Sequence, residues 1–317
     1  MRDVRSRRRT TLAPAALALA LALTGCGLGA GPAPKGVQLL VTNNFGTHVL
    51  GLSKAPDVKG QETVMSLLLR NHHVETRYGG AFVQAIEGLS GGHEGARPVD
   101  WFYYVNGVEA PKGAAATNVD AGDHIWWDRH DWSQTDSVPA VVGSFPEPFL
   151  NGIEGKRFPV RVECSSVGGY ACRTVTERLR ALGVPAAIAG LGSGGETETL
   201  RLLVAPWPKI GDDLTAESIA RGPRASGVYA RFSRGGGTLA LLDADGTTVQ
   251  TLGADAGLIA ATRRDEGEDA PVWVVTGTDE AGTEAAARDF DAGALDDHFA
   301  LAIDSGRAIP VPVEGTK

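Results

Sequence analysis

The stretch "DHIWWDRHDW", residues 123–132, decides the fold of the first half of the chain. It holds three of the six tryptophans of the 317-residue sequence, together with two histidines and three aspartates. Side chains alternate between the two faces of an extended strand. One face of this strand therefore carries Ile125, Trp127 and Arg129. The other face carries the four even-numbered side chains, His124, Trp126, Asp128 and His130.

Three interpretations of this stretch are open: a packed core, a metal site, or a surface that binds an aromatic or macrocyclic ligand. A metal site is disfavoured by distance, because residues i and i+4 of a strand lie roughly 13 Å apart. One ion cannot then bind His124 and Asp128 unless the strand turns back. We therefore expect no metal site here.

A second aromatic strand precedes the first, "DWFYYVNGVEA" at residues 100–110, with a hairpin signal at Asn106-Gly107. Each strand has aromatic side chains on both faces, yet a small domain needs only one sheet face for its core under one helix. An exposed aromatic face usually marks binding. The alternative is that these side chains pack under loops or against a second domain. The candidate ligand-binding residues are Trp101, Tyr103, Tyr104, Asn106, Trp126, Trp127 and Trp132.

The sequence on either side predicts a small β-rich domain with one helix over residues 37–137. Residues 37–46 have the pattern of a strand and a turn, and residues 60–74 that of a helix capped by Thr63. Residues 82–89 alternate like a strand. If the aromatic face binds a ligand, Trp101, Tyr103, Trp126 and Trp132 should be partly exposed.

Four ordered motifs give this domain a resemblance to a known family. They are the helix motif Thr-Val-x-x-Leu-Leu at 63–68, "YGGAFVQAIEGL" at 78–89, "WFYYVNGV" at 101–108 and "VDAGDHIWWDRHDW" at 119–132. In this order they resemble the DUF4430 family, which is similar to the C-terminal β-domain of the cobalamin carriers transcobalamin and intrinsic factor. The resemblance implies that β-domain fold and, as the ligand, a small molecule such as a corrinoid.

The second half of the chain alternates strand and helix patterns, which predicts an α/β or α+β sandwich domain over residues 158–304. Residues 138–157, rich in Pro and Gly, are predicted to form a linker that partly packs, and residues 305–317 a C-terminal tail. Cys164 and Cys172 are eight residues apart. We expect them to form a local disulfide, since no activating His or Lys is evident beside either thiol.

The N-terminus predicts export. Arginines precede the apolar run at 12–23, and residues 1–25 have the layout of a signal peptide. "LTGC", Leu23 to Cys26, resembles the bacterial lipobox, which implies lipidation of Cys26 after cleavage. Residues 26–36 would form a Gly/Pro/Ala tether. The Ala-, Gly- and Asp-rich composition with few Lys is typical of high-GC actinobacteria.

The sequence thus predicts a lipid-anchored protein on the extracytoplasmic face of a bacterial cell membrane. Removal of five Arg and one Asp with residues 1–25 changes the formal net charge from −8 to −12. Such a charge argues against nucleic acid as a partner. The chain has no His-Glu-x-x-His motif and no P-loop spacing. We expect a non-enzymatic protein without a cofactor that binds a small molecule. The alternatives are an interaction module that docks an envelope or transporter protein, and an envelope hydrolase.

Overall fold

A computed structural model describes residues 35–193, 198–263 and 270–315. The predicted signal peptide 1–25, the predicted lipidation site Cys26 and most of the tether 26–36 lie outside the described residues. Within the described part of the chain, no helix combines the length and the apolar character that crossing a membrane requires.

The N-terminal domain is built around a mixed sheet with the strand order β2-β1-β9-β7-β6, and β8 pairs with β7. A separate small sheet has the order β3-β4-β5. The elements are β1 (Gln38–Asn43), β2 (His48–Lys54), α1 (Val64–Asn71), β3 (Val74–Arg77), β4 (Phe82–Ile86), β5 (Leu89–Ser90), β6 (Gly92–Glu94), β7 (Arg97–Val105), β8 (Val108–Glu109) and β9 (His124–Asp131).

Local signals explain where these elements begin and end. Thr63 caps α1 by accepting a hydrogen bond from the backbone N–H of Ser66 at 3.2 Å. Asn106 and Gly107 both have positive φ, 55° and 77°, and join β7 to β8. Two central residues with positive φ are what a type I′ hairpin turn requires. The predicted helix and the predicted hairpin are both present.

The aromatic strands β7 and β9 are antiparallel neighbours at the middle of the sheet. Their register places Tyr103 opposite Trp127 and Tyr104 opposite Trp126. Strand β1 runs parallel to the other side of β9, with Leu40 beside Trp126. Strand β9 therefore has a hydrogen-bonded neighbour on each side, and both of its faces are buried.

The C-terminal domain contains a sheet with the order β11-β10-β12-β17-β16-β18-β19, in which the first four strands are parallel and the others antiparallel. A small sheet, β13-β14-β15, lies beside it. The strands are β10 (Val160–Cys164), β11 (Ala186–Gly190), β12 (Leu200–Pro206), β13 (Ala230–Phe232), β14 (Leu239–Leu242), β15 (Thr248–Leu252), β16 (Gly257–Thr262), β17 (Val272–Gly277), β18 (Ala300–Asp304) and β19 (Arg307–Val311). The helices are α2 (Tyr170–Ala181), α3 (Trp207–Ile210), α4 (Leu214–Ala220), α5 (Pro223–Ser226), α6 (Glu280–Arg288) and α7 (Ala292–Leu295).

Both faces of the central strands β12, β16 and β17 are buried, and alternation along these strands directs side chains into two different cores. On β17, Trp273 and Val275 join the core formed with α2 and α6. Val272 and Val274 join the core on the opposite face, which also contains residues of the N-terminal domain. The predicted α+β class, with a β-rich domain followed by an α+β domain, is confirmed.

Two predicted boundary segments are more ordered than their composition indicates. In the segment 138–157, Val141 packs into the core shared by the two domains, whereas Val142 and Phe145 pack into the core under α2 and α6. In the predicted tail 305–317, strand β19 pairs with β18. Strand β19 lies at the edge of the sheet, where a proline such as Pro310 is tolerated.

A cleft between the two domains

Six of the seven predicted ligand-binding residues are buried, and the five aromatic residues among these six are divided between the two faces of the N-terminal sheet. Trp101, Tyr103 and Trp127 lie in the core under α1. The Trp101 indole N–H donates to the Leu89 carbonyl at 3.0 Å, and the Tyr103 hydroxyl donates to the Lys112 carbonyl. These residues are therefore core residues with internal hydrogen-bond partners.

The opposite face is covered by the C-terminal domain. Tyr104 and Trp126 are fully buried there, and Phe299 contacts both rings at centroid distances of 5.6 and 5.2 Å. Asn106 is also buried, and its amide donates to the Asp123 carboxylate at 2.9 Å and to the Gly152 carbonyl at 2.7 Å. The expectation of partial exposure is wrong for Trp101, Tyr103 and Trp126. It holds for Trp132, which is 39% exposed.

Asp128 and His130 of the opening stretch have structural partners. The Asp128 carboxylate accepts hydrogen bonds from the Thr42 hydroxyl and from the backbone N–H groups of Phe45 and Gly46. It also contacts His130 Nδ1 at 2.9 Å. Asp128 thus fixes the tight turn between β1 and β2. Among the described residues, no group of three or more His, Cys, Asp or Glu side chains is placed to hold a metal ion.

The turn that Asp128 fixes leads into an open cleft of about 740 Å³ between the two domains. The N-terminal domain supplies one side, whose lining includes Asn43, Phe45, Glu94, Arg97, Arg129, His130 and Asp131. The C-terminal domain supplies the other side from the β14–β15 turn and the segment after β19, with Asp243, Ala244, Asp245 and the residues 312–315. Ligand sites in proteins commonly have volumes of roughly 300–1,000 Å³ and lie between domains.

The cleft is lined by many charged side chains, and some of these charges are paired with one another. Arg129 lies 2.9 Å from Glu94, and Arg97 pairs with Asp245 across the domain boundary. The Asp245 carboxylate belongs to the C-terminal domain, so this second pair helps to connect the two walls. A ligand in the cleft would contact both domains at once.

Two buried polar atoms near the cleft lack hydrogen-bond partners among the described residues, Asp131 Oδ2 and the Tyr229 hydroxyl oxygen. Burial raises the pKa of Tyr229, and the negative charges of Asp131 and Asp245 raise this pKa further. Sequence reasoning missed both Asp131 and Tyr229; nothing in the local pattern distinguishes Asp131 from Asp128, the other aspartate of its strand.

The pentapeptide Gly88-Leu89-Ser90-Gly91-Gly92 fits the Gly-x-Ser-x-Gly pattern of hydrolase nucleophiles. In such enzymes the serine sits on a sharp turn between a strand and a helix. Here Ser90 ends β5 and is followed by β6, and its carbonyl accepts a hydrogen bond from Arg129 Nε at 2.8 Å. The strand–strand setting does not match a nucleophile elbow.

The predicted disulfide is confirmed. Cys164 and Cys172 are bonded, with Cα atoms 5.9 Å apart. The bond links the end of β10 to the first turn of α2, and both cysteines are buried.

Comparison with known proteins identifies the family of the first domain. Residues 61–131 match the model of the "Domain of unknown function (DUF4430)". No curated protein matches the chain. The match confirms the family resemblance and shows that the chain carries a DUF4430 domain. It begins after β2, so the structure adds β1 and β2 to the sheet that the matched residues form.

Proposed function

We propose that this protein is a non-enzymatic, lipid-anchored binding protein of the extracytoplasmic face of the cell membrane, and that its two domains hold a small polar molecule in the cleft between them. The observation that carries the proposal is the cleft itself. Its volume of about 740 Å³ suits a small molecule, and both domains contribute charged side chains to it.

The cleft replaces the aromatic face as the proposed binding surface. A corrinoid, the ligand that the family resemblance implies, would need a flat aromatic wall on which to stack. Most of the residues expected to supply that wall are core residues. Of the described residues that line the cleft, Phe45 is the sole Phe, Tyr or Trp. The proposed ligand is therefore smaller and more polar than a corrinoid.

The proposed location rests on two independent features. The layout of residues 1–25 and the "LTGC" sequence favour export and lipidation of Cys26. The Cys164–Cys172 bond supports an exported site, because disulfides persist mainly in oxidising compartments.

The experiment is native mass spectrometry of the mature protein purified from the membranes of its own host. We expect a non-covalent adduct of low mass that is released on denaturation. Glu314 is exposed and lines the cleft, so Glu314→Trp should fill the cleft and remove the adduct. Asp212→Trp is the matched control, because Asp212 is exposed and does not line the cleft.

Three results would contradict the proposal: no adduct in the parent protein, an adduct that survives Glu314→Trp unchanged, or equal loss in both variants. Added cobinamide serves as a further probe. Stoichiometric cobinamide binding that Glu314→Trp leaves intact would favour a corrinoid site elsewhere on the protein.

A further inference from the structure

Asp131 is a buried carboxylate in which one oxygen accepts no hydrogen bond from the described residues. It is the last residue of β9, lines the cleft and is 7% exposed. Its Oδ1 accepts a hydrogen bond from the backbone N–H of Ser133 at 2.8 Å. Its Oδ2 accepts none from the described residues. A buried charged acceptor without a hydrogen bond is costly, so this oxygen favours binding of a hydrogen-bond donor, which the described residues do not supply.

The two arginines of the cleft do not supply that donor. Arg97 Nε lies 3.8 Å from Asp131 Oδ2, beyond hydrogen-bonding distance, while its terminal nitrogen bonds to Asp245. Arg129 donates instead to the Ser90 carbonyl, the Asn43 amide oxygen and the Glu94 carboxylate, at 2.8, 3.1 and 2.9 Å. Arg97 therefore contributes a long ion pair to Asp131 but no hydrogen bond, and Arg129 is engaged with other acceptors.

The charge of the whole cleft has the same sign as Asp131. Two guanidinium groups face five carboxylates, an excess of three negative charges. The five are those of Glu94, Asp131, Asp243, Asp245 and Glu314. An anionic ligand would meet repulsion on both walls, whereas a cation would relieve it.

We propose that the cleft binds an organic cation that carries a primary ammonium group, with Asp131 Oδ2 as its main acceptor. This inference rests on the proposed function and adds the chemical class of the ligand. An ammonium group has three N–H donors and no acceptor, so it can satisfy one carboxylate oxygen and still donate to neighbours. Charge-assisted hydrogen bonds of this kind are among the stronger polar contacts in proteins.

The Tyr229 hydroxyl supports this class of ligand. It is buried and has no hydrogen-bond partner among the described residues. Burial raises the pKa of Tyr229, and the negative charges of Asp131 and Asp245 raise this pKa further. Tyr229 does not itself line the cleft, but its ring packs against the cleft-lining Phe45 at a centroid distance of 5.0 Å, so a hydrogen-bond acceptor lies directly behind this wall.

The test uses the mature full chain and matched five-carbon probes: 1,5-diaminopentane, 1,5-pentanediol and glutarate, with spermidine as a longer cation. Binding is measured by calorimetry, and thermal unfolding is measured in parallel. We expect the two amines to bind and to raise the melting temperature, and the diol and the dicarboxylate to do neither.

Asp131→Asn should weaken amine binding about tenfold or more, since it removes the charge from the main acceptor. The substitution keeps the shape of the side chain and the Oδ1 bond to Ser133, so the fold should persist. Asp212→Asn is the matched control, because it removes one exposed negative charge outside the cleft. It should leave amine binding within about twofold of the parent.

The outcomes separate the two proposals. Binding of glutarate or the diol that Glu314→Trp blocks, without binding of either amine, would overturn the ligand class and leave the cleft as the site. Amine binding that Asp131→Asn leaves unchanged would overturn the role of Asp131. Failure of every probe, together with the absence of a native adduct in mass spectrometry, would overturn both proposals.

Discussion

The indole ring of Trp126 and the phenyl ring of Phe299 meet edge to face, with centroids 5.2 Å apart, and the two residues belong to different domains. Phe299 also contacts Phe45, Tyr104 and His130, at centroid distances of 5.2, 5.6 and 5.5 Å. One residue of the C-terminal domain thus covers the centre of the second face of the N-terminal sheet. The aromatic face of this DUF4430 domain is an interdomain core in the described structure.

Trp126→Ala should strongly destabilise the protein. Trp126 is fully buried, and its indole N–H donates to the Thr42 hydroxyl at 2.7 Å. Truncating a large buried aromatic side chain typically costs about 3–5 kcal/mol of the free energy of unfolding. Chemical denaturation measures the loss. Trp132→Ala is the control and should cost less than about 1 kcal/mol, because Trp132 is 39% exposed. Similar small losses in the two variants would argue that Trp126 lies on the surface.

His124 should make the protein less stable in acid. Its burial lowers the pKa of its imidazole to about 4, below the ordinary value of 6.5. Above pH 6.5 the side chain is neutral in both the folded and unfolded states. As the pH falls from 6.5 towards 4, the unfolded state binds the proton first, and up to roughly 3 kcal/mol of stability is lost.

The comparison with His124→Gln isolates this effect. Asp123 acts in the opposite direction, since burial raises its pKa to about 6 and its ionisation destabilises the fold as the pH rises from 3.8 to 6. Asp123 is present in both proteins, so its contribution largely cancels. The stability advantage of the parent over His124→Gln should shrink from pH 7 to pH 4. A difference independent of pH would show that His124 titrates normally.

The Cys164–Cys172 bond should stabilise the C-terminal domain. A loop with a sequence separation of eight corresponds to about 2–3 kcal/mol by the chain-entropy estimate. Replacing both cysteines by serine should lower the free energy of unfolding by that amount, measured by chemical denaturation. Adding a reductant should affect the parent and leave the double variant unchanged. Non-reducing peptide mapping of protein from its native compartment should recover the linked pair, and two free thiols would contradict the expectation.

Cys26→Ala should abolish lipidation. The prediction rests on "LTGC" at residues 23–26. Metabolic labelling with a palmitate analogue should mark the parent protein, and the variant should accumulate as an unlabelled precursor. Cys164→Ser is the control, because that cysteine is part of the disulfide and should carry no lipid. Equal labelling of the parent and Cys26→Ala would contradict the lipoprotein assignment.

Local patterns were sufficient to predict much of the N-terminal domain. Alternation along "DHIWWDRHDW" correctly separates Trp127 from Trp126, and Asn106-Gly107 marks the hairpin. Alternation within each strand does not show which faces of two strands coincide, because that depends on their register. Trp101 and Tyr103 were therefore grouped with Trp126, although the observed pairing puts them on opposite faces.

The cleft could not be predicted for a different reason. Its walls come from segments that are far apart in sequence, so that Arg97 meets Asp245 across 148 positions. The absence of a hydrogen bond to Asp131 Oδ2 among the described residues is likewise a property of the folded chain. It depends on which hydrogen-bond donors lie near this oxygen and which of them donate to other acceptors. The sequence left packing against a second domain open as an alternative to ligand binding, and the structure shows that packing for Tyr104 and Trp126; the sequence did not indicate that Phe299 is the residue that covers them.

The segment 138–157 has a practical consequence for anyone who wants to produce the family domain alone. A fragment ending at residue 137 would lack Val138, Val141 and Phe299, which pack over this face of the sheet. Leu40, Tyr104 and Trp126 would then be exposed to water. Such a fragment would be prone to aggregation. It would also bind ligands non-specifically through an exposed apolar surface that is buried in the intact chain. Ligand screening or crystallisation of a fragment cut at the DUF4430 boundaries would therefore not represent the intact protein. Expression vectors should retain the chain through β19.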